Sequence, residues 1–179
     1  MLQPRHAALL LWSAASSMLV IGKFYAAIPY IDAVANHFHI SGTRAALVAS
    51  SFGFAYAPGM IVWGLASDKG GRVKVLVAGM TATAVFTALA ALTTHFGWLL
   101  AARALQGFAA SSFSPNAVSL LAEQLPQRSR PLGMSVIGFA FLLSAPVVQY
   151  GAVASGASFS AVLFVSAPLF LLSATAVRT

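Results

Sequence analysis

The sequence lacks cysteine altogether, and charged residues make up only 7% of it. Without cysteine the chain cannot form a disulfide, use thiol chemistry or bind a metal through sulfur. A soluble domain carries roughly 25% charged residues, so the scarcity of charge excludes an ordinary soluble protein. Carboxylates are the rarest charged groups, because Asp32, Asp68 and Glu123 are the only ones.

Histidine is missing from the chain after His95. The segment Gly156-Ala157-Ser158-Phe159 fits the loose Gly-x-Ser-x pattern of rhomboid-like serine proteases, which need a histidine base later in the chain. None follows, so we expect no enzyme of this class. His37 and His39 form a pair without a third ligand, so neither a metal site nor a cofactor is predicted.

Apolar residues dominate what is present, at 59% of the chain with a mean hydropathy of +0.86. They form six segments, each near the length of about 20 residues that a bilayer requires. The sequence therefore predicts an all-α integral membrane protein, a single domain over residues 1–179 with six transmembrane helices. The predicted spans are about 7–31, 44–66, 73–94, 97–122, 132–153 and 159–177.

The formal net charge of +7 is concentrated on one side of these spans. With the N-terminus inside, only Arg44 lies at the outer surface, and the basic residues at the inner surface are Arg5, Lys69, Arg72, Lys74, Arg128, Arg130 and Arg178. This bias predicts that both termini are cytoplasmic in a plasma membrane, the inner membrane of a bacterium. Orientation explains the charge better than a nucleic-acid partner does.

The densest run of charge is the segment Gly64–Lys74, between the second and third spans. Its position predicts a tight turn at the membrane surface. We expect Gly64 to permit close helix packing, and Gly70 and Gly71 to supply positive φ angles. Asp68 is expected to pair with Arg72 or with the N-terminus of a neighbouring helix.

This run resembles the signature loop of the major facilitator superfamily, G-x-x-x-D-[RK]-x-G-R-[RK], which joins the second and third helices of each transporter. The matching positions hold Gly64, Asp68, Lys69, Gly71 and Arg72. Val73 replaces the second basic residue, and Lys74 supplies that charge one place later. The resemblance implies that these residues control a conformational change. An ordinary basic loop with no moving role is the alternative.

Two basic residues fall inside predicted spans. Lys23 lies about two thirds of the way across the first span, where a charge is costly unless it faces a cavity or a partner. It could instead extend to the outer interface, and Asp32 could pair with it. Arg103 lies inside the fourth span with Gln106 on the same helix face.

The fourth span also resembles the family's pattern l-x-x-x-R-x-x-q-G-x-g-a-a, through Leu99, Arg103, Gln106, Gly107, Ala109 and Ala110. The resemblance implies that Arg103, Gln106 and Gly107, together with Lys23, serve a central cavity for substrate binding or proton coupling. A structural arginine bonded to backbone carbonyls is the alternative. Asn116 adds another polar group to this span.

Prolines mark further positions in the spans. Pro58 and Pro146 are predicted to bend the second and fifth helices, and Pro115 to break the fourth. The drug-antiporter subfamily shows G-x-x-x-G-P-x-x-G-G in the fifth helix. Only Pro146 of that motif is kept here, since the glycine positions hold Phe141, Ala145, Gln149 and Tyr150. The chain is therefore closest in character to drug/proton antiporters with a degenerate motif.

The resemblance implies half a transporter, since family members have two six-helix halves, each made of two inverted three-helix repeats. The expected function is secondary active transport of a small solute, with protons as a further ligand. The partners are the lipid bilayer and a second half or another copy of the chain. A truncated or non-transporting subunit that binds a partner is the alternative. Buried polar groups that lipid cannot satisfy predict that a second half covers one face.

Overall fold

The fold is a bundle of helices, seen in a computed structural model that describes residues 3–177. The α-helices are α1 (Pro4–Tyr25), α2 (Ile31–Phe38), α3 (Gly42–Ala45), α4 (Leu47–Gly70), α5 (Arg72–Leu92), α6 (Phe96–Ala110), α7 (Phe113–Gln124), α8 (Arg130–Ser155) and α9 (Phe159–Ala176). Two 3₁₀ turns cover Ile28–Tyr30 and Gln127–Ser129. Arg178, which contributes to the predicted charge bias, lies outside the described residues.

Five helical stretches in the described range are long and apolar enough to cross a membrane. They are Pro4–Phe38, Gly42–Gly70, Arg72–Leu92, Gln127–Ser155 and Phe159–Ala176. These five correspond to five of the six predicted spans. The predicted fourth span is two helices instead, α6 with 15 residues and α7 with 12, each too short to cross a bilayer alone.

Helix breaks in the first and fourth spans lie just before prolines. Helices α6 and α7 are separated by a turn at 111–112, and Pro115 has no N–H group to donate to the Ser111 carbonyl. In the first span the corresponding turn lies at 26–27, ahead of Pro29. By contrast α4 and α8 continue without interruption through their internal prolines, so a bend at those prolines remains a prediction.

The predicted outer loop from Asn36 to Thr43 is largely wrong. Helix α2 continues the first span to Phe38, and α3 begins at Gly42, so the connection is only residues 39–41. His39 makes it this short by adopting the left-handed conformation, with φ of 54°. Helix α2 buries Val34 and exposes Asn36 and His37, and these two polar residues led to the prediction of a loop.

Packing between the spans follows a symmetric pattern. Helix α1 packs against α8, α4 against α6, and α5 against α9. The first of these contacts joins spans one and five, the second joins spans two and four, and the third joins spans three and six. If each span is replaced by the one three places away, the first contact becomes the second and the third contact stays the same. Two related three-helix repeats would give this pattern, but their inverted relation remains a prediction.

The core consists of two apolar clusters, one toward each end of the bundle. Phe52, Leu76 and Phe113 belong to one cluster, and Val48 and Leu163 to the other. Large apolar side chains also cover the outside of the bundle, including Phe54, Leu142 and Val153. An apolar exterior suits contact with lipid. The charged side chains that the spans bury lie at the level between the two clusters.

Candidate functional site

Arg103 lies between the two apolar clusters and is completely buried, with 0% of its surface exposed. Its Nε donates to the Val48 carbonyl at 3.1 Å, and its Nη2 donates to the Lys23 carbonyl at 2.9 Å. The guanidinium carbon lies 4.7 Å from the centre of the Phe52 ring, which adds a cation–π contact. Arg103 therefore joins α6 to α1 and α4.

The Lys23 carbonyl needs such a donor because α1 ends nearby. The last four carbonyls of a helix have no partner within the helix, and the chain turns at 26–27. Arg103 thus caps the C-terminal end of α1 at its break. This matches the structural alternative left open from the sequence, while a role in substrate binding or coupling remains a prediction.

Gln106 extends the network from Arg103 to α5. Its Oε1 accepts from Arg103 Nη1 at 2.6 Å, and its Nε2 donates to Thr87 Oγ1 at 2.6 Å. Thr87 donates in turn to the Thr83 carbonyl at 2.6 Å, and Thr83 to the Gly79 carbonyl at 2.7 Å. The same-face relation of Arg103 and Gln106 was predicted, but Thr87 was missed. Two threonines spaced by four in an apolar helix are the signal that could have revealed it.

Lys23 lies inside the bundle, with only 4% of its surface exposed. Its Nζ donates to the hydroxyl of Ser166 on α9, which itself donates to the Leu163 carbonyl at 2.8 Å. The lysine does not extend to the outer interface, and it does not pair with Asp32, which is exposed on α2. Both of those alternatives are wrong. Ser166 was missed, because nothing local distinguishes it from other serines in apolar helices.

The argument for a second half from unsatisfied polar groups is also wrong. Lys23, Arg103, Gln106 and Asn116 are all buried within the bundle. Their hydrogen bonds are made to the bundle itself, including Asn116 Nδ2 to the Ser112 carbonyl at 2.7 Å. Asn116 Oδ1 is the one polar atom of these four side chains that is buried without a partner. No second domain is needed to satisfy the rest.

Small residues bring α4 and α6 close together beside this cluster. A Cβ atom on Gly107 would lie 2.8 Å from the Phe52 carbonyl carbon and 2.9 Å from its Cα. Gly59 faces Phe108 and Ser111 in the same way further along. The predicted close approach at Gly64 is not found, since no atom lies within 4 Å of a Cβ there. Close packing is achieved earlier along α4, about one turn before Gly64 at Gly59 and about three turns before it at Phe52.

The charged segment at the end of α4 is less of a loop than predicted. Residues up to Gly70 belong to α4, and Arg72 begins α5, so Gly71 alone forms the turn. Gly71 has a φ of 89°, which glycine adopts without steric cost. Gly70 is helical, so its predicted positive φ is wrong. Lys69 is exposed at the end of α4.

Arg72 is the central residue of this turn. Its Nη1 lies 3.4 Å from Asp68 Oδ1 and 3.3 Å from Ser67 Oγ, while its Nε donates to Glu123 Oε1 at 2.5 Å. The predicted pairing of Asp68 with Arg72 is therefore present. Glu123 was missed, because it lies 51 residues later in the chain and only the fold brings it near. Arg72 connects the turn to the end of α7.

Apart from Gly64, Pro58 and Pro146, the predicted site residues form two separate groups. The buried cluster is defined by Lys23, Arg103, Gln106 and Thr87, with Gly107 beside it. The charged turn, at the end of the bundle where α1 starts, holds Asp68, Lys69, Gly71 and Arg72. Between residues 3 and 177 there is no group of three or more His, Asp or Glu side chains that could hold a metal ion.

Curated transporters resemble this chain over most of its length but are much longer. The MFS-type transporter ppz2 of Metarhizium majus is 29% identical over 124 residues, covering 68% of this chain and 21% of the relative. The uncharacterized MFS-type transporter YybF of Bacillus subtilis is 29% identical over 132 residues, covering 74% of this chain and 32% of the relative. The chain therefore spans a fifth to a third of these relatives.

A solved transporter shares the fold. The bacterial homolog of the human lysosomal transporter Spinster, in its inward-facing and unoccupied conformation, superposes with a TM-score of 0.88 at 17% identity. The match covers 99% of this chain and 43% of that one. At this identity the likeness establishes the fold alone, and the part matched is less than half of the solved chain.

The sequence profile of the Major Facilitator Superfamily matches residues 10–178, nearly the whole chain. The family and these relatives are transporters, which confirms that the chain belongs with transporters and not with enzymes. The matched range includes both the charged turn and Arg103, and the superposition agrees with the helical bundle. The chain is a member of the major facilitator superfamily.

Proposed function

We propose that this chain forms the N-terminal six-helix half of a secondary active transporter, which moves a small solute across the membrane by alternating access. The observation that carries the proposal is the superposition of almost the entire chain on less than half of a solved transporter. In such proteins the substrate lies at the interface of two repeats, and one half rocks against the other. The second half is another six-helix unit or a second copy of this chain.

The need for a second half rests on length, because Lys23, Arg103 and Gln106 make their hydrogen bonds within the bundle. The curated relatives are three to five times longer than the part matched, which covers 21% of one and 32% of the other. A drug/proton-antiporter type of transport, with protons among the ligands, is the variant that the motifs favour. The alternative is a truncated or non-transporting subunit that only binds a partner.

The charged turn would then control the movement between states. Arg72 joins α5 to Asp68 on α4 and to Glu123 on α7. All three side chains are partly or largely exposed, so these ion pairs contribute little to the folding stability. Their value in a transporter would be to stabilise one arrangement of the helix ends, which must separate or shift in the other.

We propose that the protein functions in the plasma membrane and that the charged turn lies on the cytoplasmic side. The basic side chains at that end of the bundle are Arg5, Lys69, Arg72, Lys74, Arg128 and Arg130, against Arg44 at the other. Short loops rich in lysine and arginine stay on the cytoplasmic side.

The natural absence of cysteine makes the orientation easy to test. Single cysteines at Gly70 and Gln127 are expected to resist a membrane-impermeant thiol reagent in intact cells, because we place them inside. Cysteines at the exposed Thr43 and Ser155, at the opposite end, are expected to react. Permeabilised cells, in which all four should react, provide the control. Labelling of the first pair but not the second in intact cells would reverse the proposed orientation.

The transport proposal predicts that only a species with two six-helix units moves a solute. The full chain is purified in mild detergent, its mass is measured, and the same species is reconstituted into liposomes. The liposomes are exposed to a mixture of small solutes, and their contents are identified by mass spectrometry. A monomer that accumulates solute would contradict the need for a second half. A defined two-unit species that accumulates none would support the binding-subunit alternative.

In the same assay Asp68→Asn is expected to fold and associate normally but to lose most of the solute accumulation. The change keeps the size of the side chain and removes the charge that faces Arg72 at 3.4 Å. Asp32→Asn is the matched control, because Asp32 is also exposed but lies on α2, far along the chain from the turn. Equal transport by both variants would remove the charged turn from the mechanism.

A further inference from the structure

We propose that Lys23 is a proton-binding site of this half, an uncharged amine in the conformation described and an ammonium in another. The proposal rests on the proposed transport function and names its coupling ion. Uptake adds one proton to the Nζ lone pair, and release returns it, so no other reactant is needed. The three carboxylates lie at helix ends, Asp32 at the start of α2, Asp68 near the end of α4 and Glu123 near the end of α7.

No negative charge faces Lys23. Helix α1 packs against α4, α7, α8 and α9. The charged and titratable groups on those four helices are Tyr56, Asp68, Lys69, Glu123, Arg130 and Tyr150. Both carboxylates among them, Asp68 and Glu123, contact Arg72 of the charged turn. The nearest charge to Lys23 is therefore that of Arg103, which is positive.

Two like charges buried side by side are costly unless one is removed. Arg103 donates directly to the Lys23 carbonyl, at 2.9 Å, and a guanidinium does not lose its proton in proteins. A lysine ammonium can lose its proton when it is buried. Of the pair, Lys23 is the member that can become neutral.

The hydrogen bonds of Lys23 also suit an amine. An ammonium has three N–H donors, whereas Nζ has a single protein partner, the Ser166 hydroxyl. Ser166 directs its own proton to the Leu163 carbonyl, so its oxygen is free to accept from Lys23. With 4% of the residue exposed, little room is left for solvent to satisfy further donors. An amine, with two N–H groups, leaves fewer of them unpaired.

Protonation would bias the helices toward another arrangement. Arg103 ties the Lys23 carbonyl to α6, and the Lys23 side chain ties α1 to α9. An ammonium at this place would be stabilised by a conformation that opens Lys23 to water or to an acceptor. A proton that binds one state more tightly than the other shifts the population toward that state, which is what coupling requires.

Nuclear magnetic resonance of lysine side chains tests this directly, because the chain has only Lys23, Lys69 and Lys74. The full chain, labelled with ¹³C and ¹⁵N at lysine, is placed in lipid nanodiscs. At neutral pH we expect two ammonium signals and one amine signal, and the amine signal should move to the ammonium position as the pH is lowered. Three ammonium signals across the whole pH range would overturn the proposal.

Assignment uses Lys69→Arg and Lys74→Arg, because both lysines are exposed and their replacement should not disturb folding. The signal that remains in the double variant is that of Lys23. In Ser166→Ala the acceptor for Lys23 is lost, and we expect the Lys23 signal to change while the other two stay in place. An unchanged Lys23 signal would contradict the contact on which the proposal depends.

The protonation state of Lys23 is measured by nuclear magnetic resonance whether or not a solute is transported. If Lys23 takes up a proton but no species moves a solute, the proposed function fails and the proton site stands. If transport is found but Lys23 remains an ammonium across the whole pH range, the proton site fails and the proposed function stands.

Discussion

Replacing Arg103 with methionine is expected to destabilise the bundle by about 3 kcal/mol, although the new side chain fills much of the same volume. The reason is the set of acceptors left behind. The carbonyls of Lys23 and Val48 and the amide oxygen of Gln106 would each lose a donor. A buried acceptor without a partner costs about 1–3 kcal/mol, and hydrogen bonds within membranes are worth somewhat less, about 0.6 kcal/mol on average.

The unfolding free energy in mixed detergent micelles measures this effect. Arg44→Met is the matched control, because Arg44 is an exposed arginine on the short helix α3 and the same atoms are changed. We expect that variant to unfold within about 0.5 kcal/mol of the unaltered chain. If Arg103→Met were as stable as Arg44→Met, the network around Arg103 would not be what holds α1, α4 and α6 together.

A second substitution, Arg103→Lys, separates charge from geometry. The ammonium keeps the positive charge but cannot reproduce the planar fork that reaches two carbonyls and Gln106 at once. An intermediate stability is therefore expected. A full recovery of stability would mean that the charge alone, through its contact with the Phe52 ring, accounts for the effect.

Local patterns in the sequence were enough to predict most of the helices. Apolar segments longer than about 20 residues can hardly be anything else in a bilayer, and five of them are found as single stretches. The turn residue Gly71 and the pair Asp68–Arg72 also followed from local spacing. The relation of Arg103 to Gln106 did so too, since residues three apart share a helix face.

The partners of these residues could not be predicted, because they depend on how helices pack. Glu123 reaches Arg72 from α7, and Ser166 reaches Lys23 from α9. Whether a polar side chain in a span faces lipid, a cavity or another helix is likewise a property of packing. This is why Lys23 and Arg103 were expected to need a second half, although the bundle itself supplies their hydrogen-bond partners.

The outer connection was predicted wrongly for a different reason. Hydropathy identifies apolar stretches, and the exposed polar residues Asn36 and His37 were interpreted as the start of a loop although helix α2 continues through them. In the fourth span the helix breaks within an apolar segment, where hydropathy gives no sign of a break. The cause is the missing N–H group of Pro115. Helix ends and membrane boundaries are set by separate physical causes, and they need not coincide.

Gly107→Ala is expected to destabilise the bundle by about 2 kcal/mol or more, the cost of forcing atoms into a fully packed place. The added Cβ would meet the backbone of Phe52 and not a flexible side chain, with its carbonyl carbon 2.8 Å away. Relief is possible only if α4 and α6 move apart. Arg103 lies one turn before Gly107, and Val48 one turn before Phe52, so the same movement would stretch the hydrogen bond from Arg103 to the Val48 carbonyl.

Gly138→Ala is the control for this change. Gly138 also lies inside a long helix, α8, but no atom is within 4 Å of its added Cβ. Because alanine is the better helix former by up to about 1 kcal/mol, this variant is expected to unfold no more easily than the unaltered chain. The two glycine variants carry the same chemical change, so the difference in their unfolding free energies isolates the α4–α6 contact. If both variants were equally stable, α4 and α6 would not be held at the separation that lets Arg103 reach across.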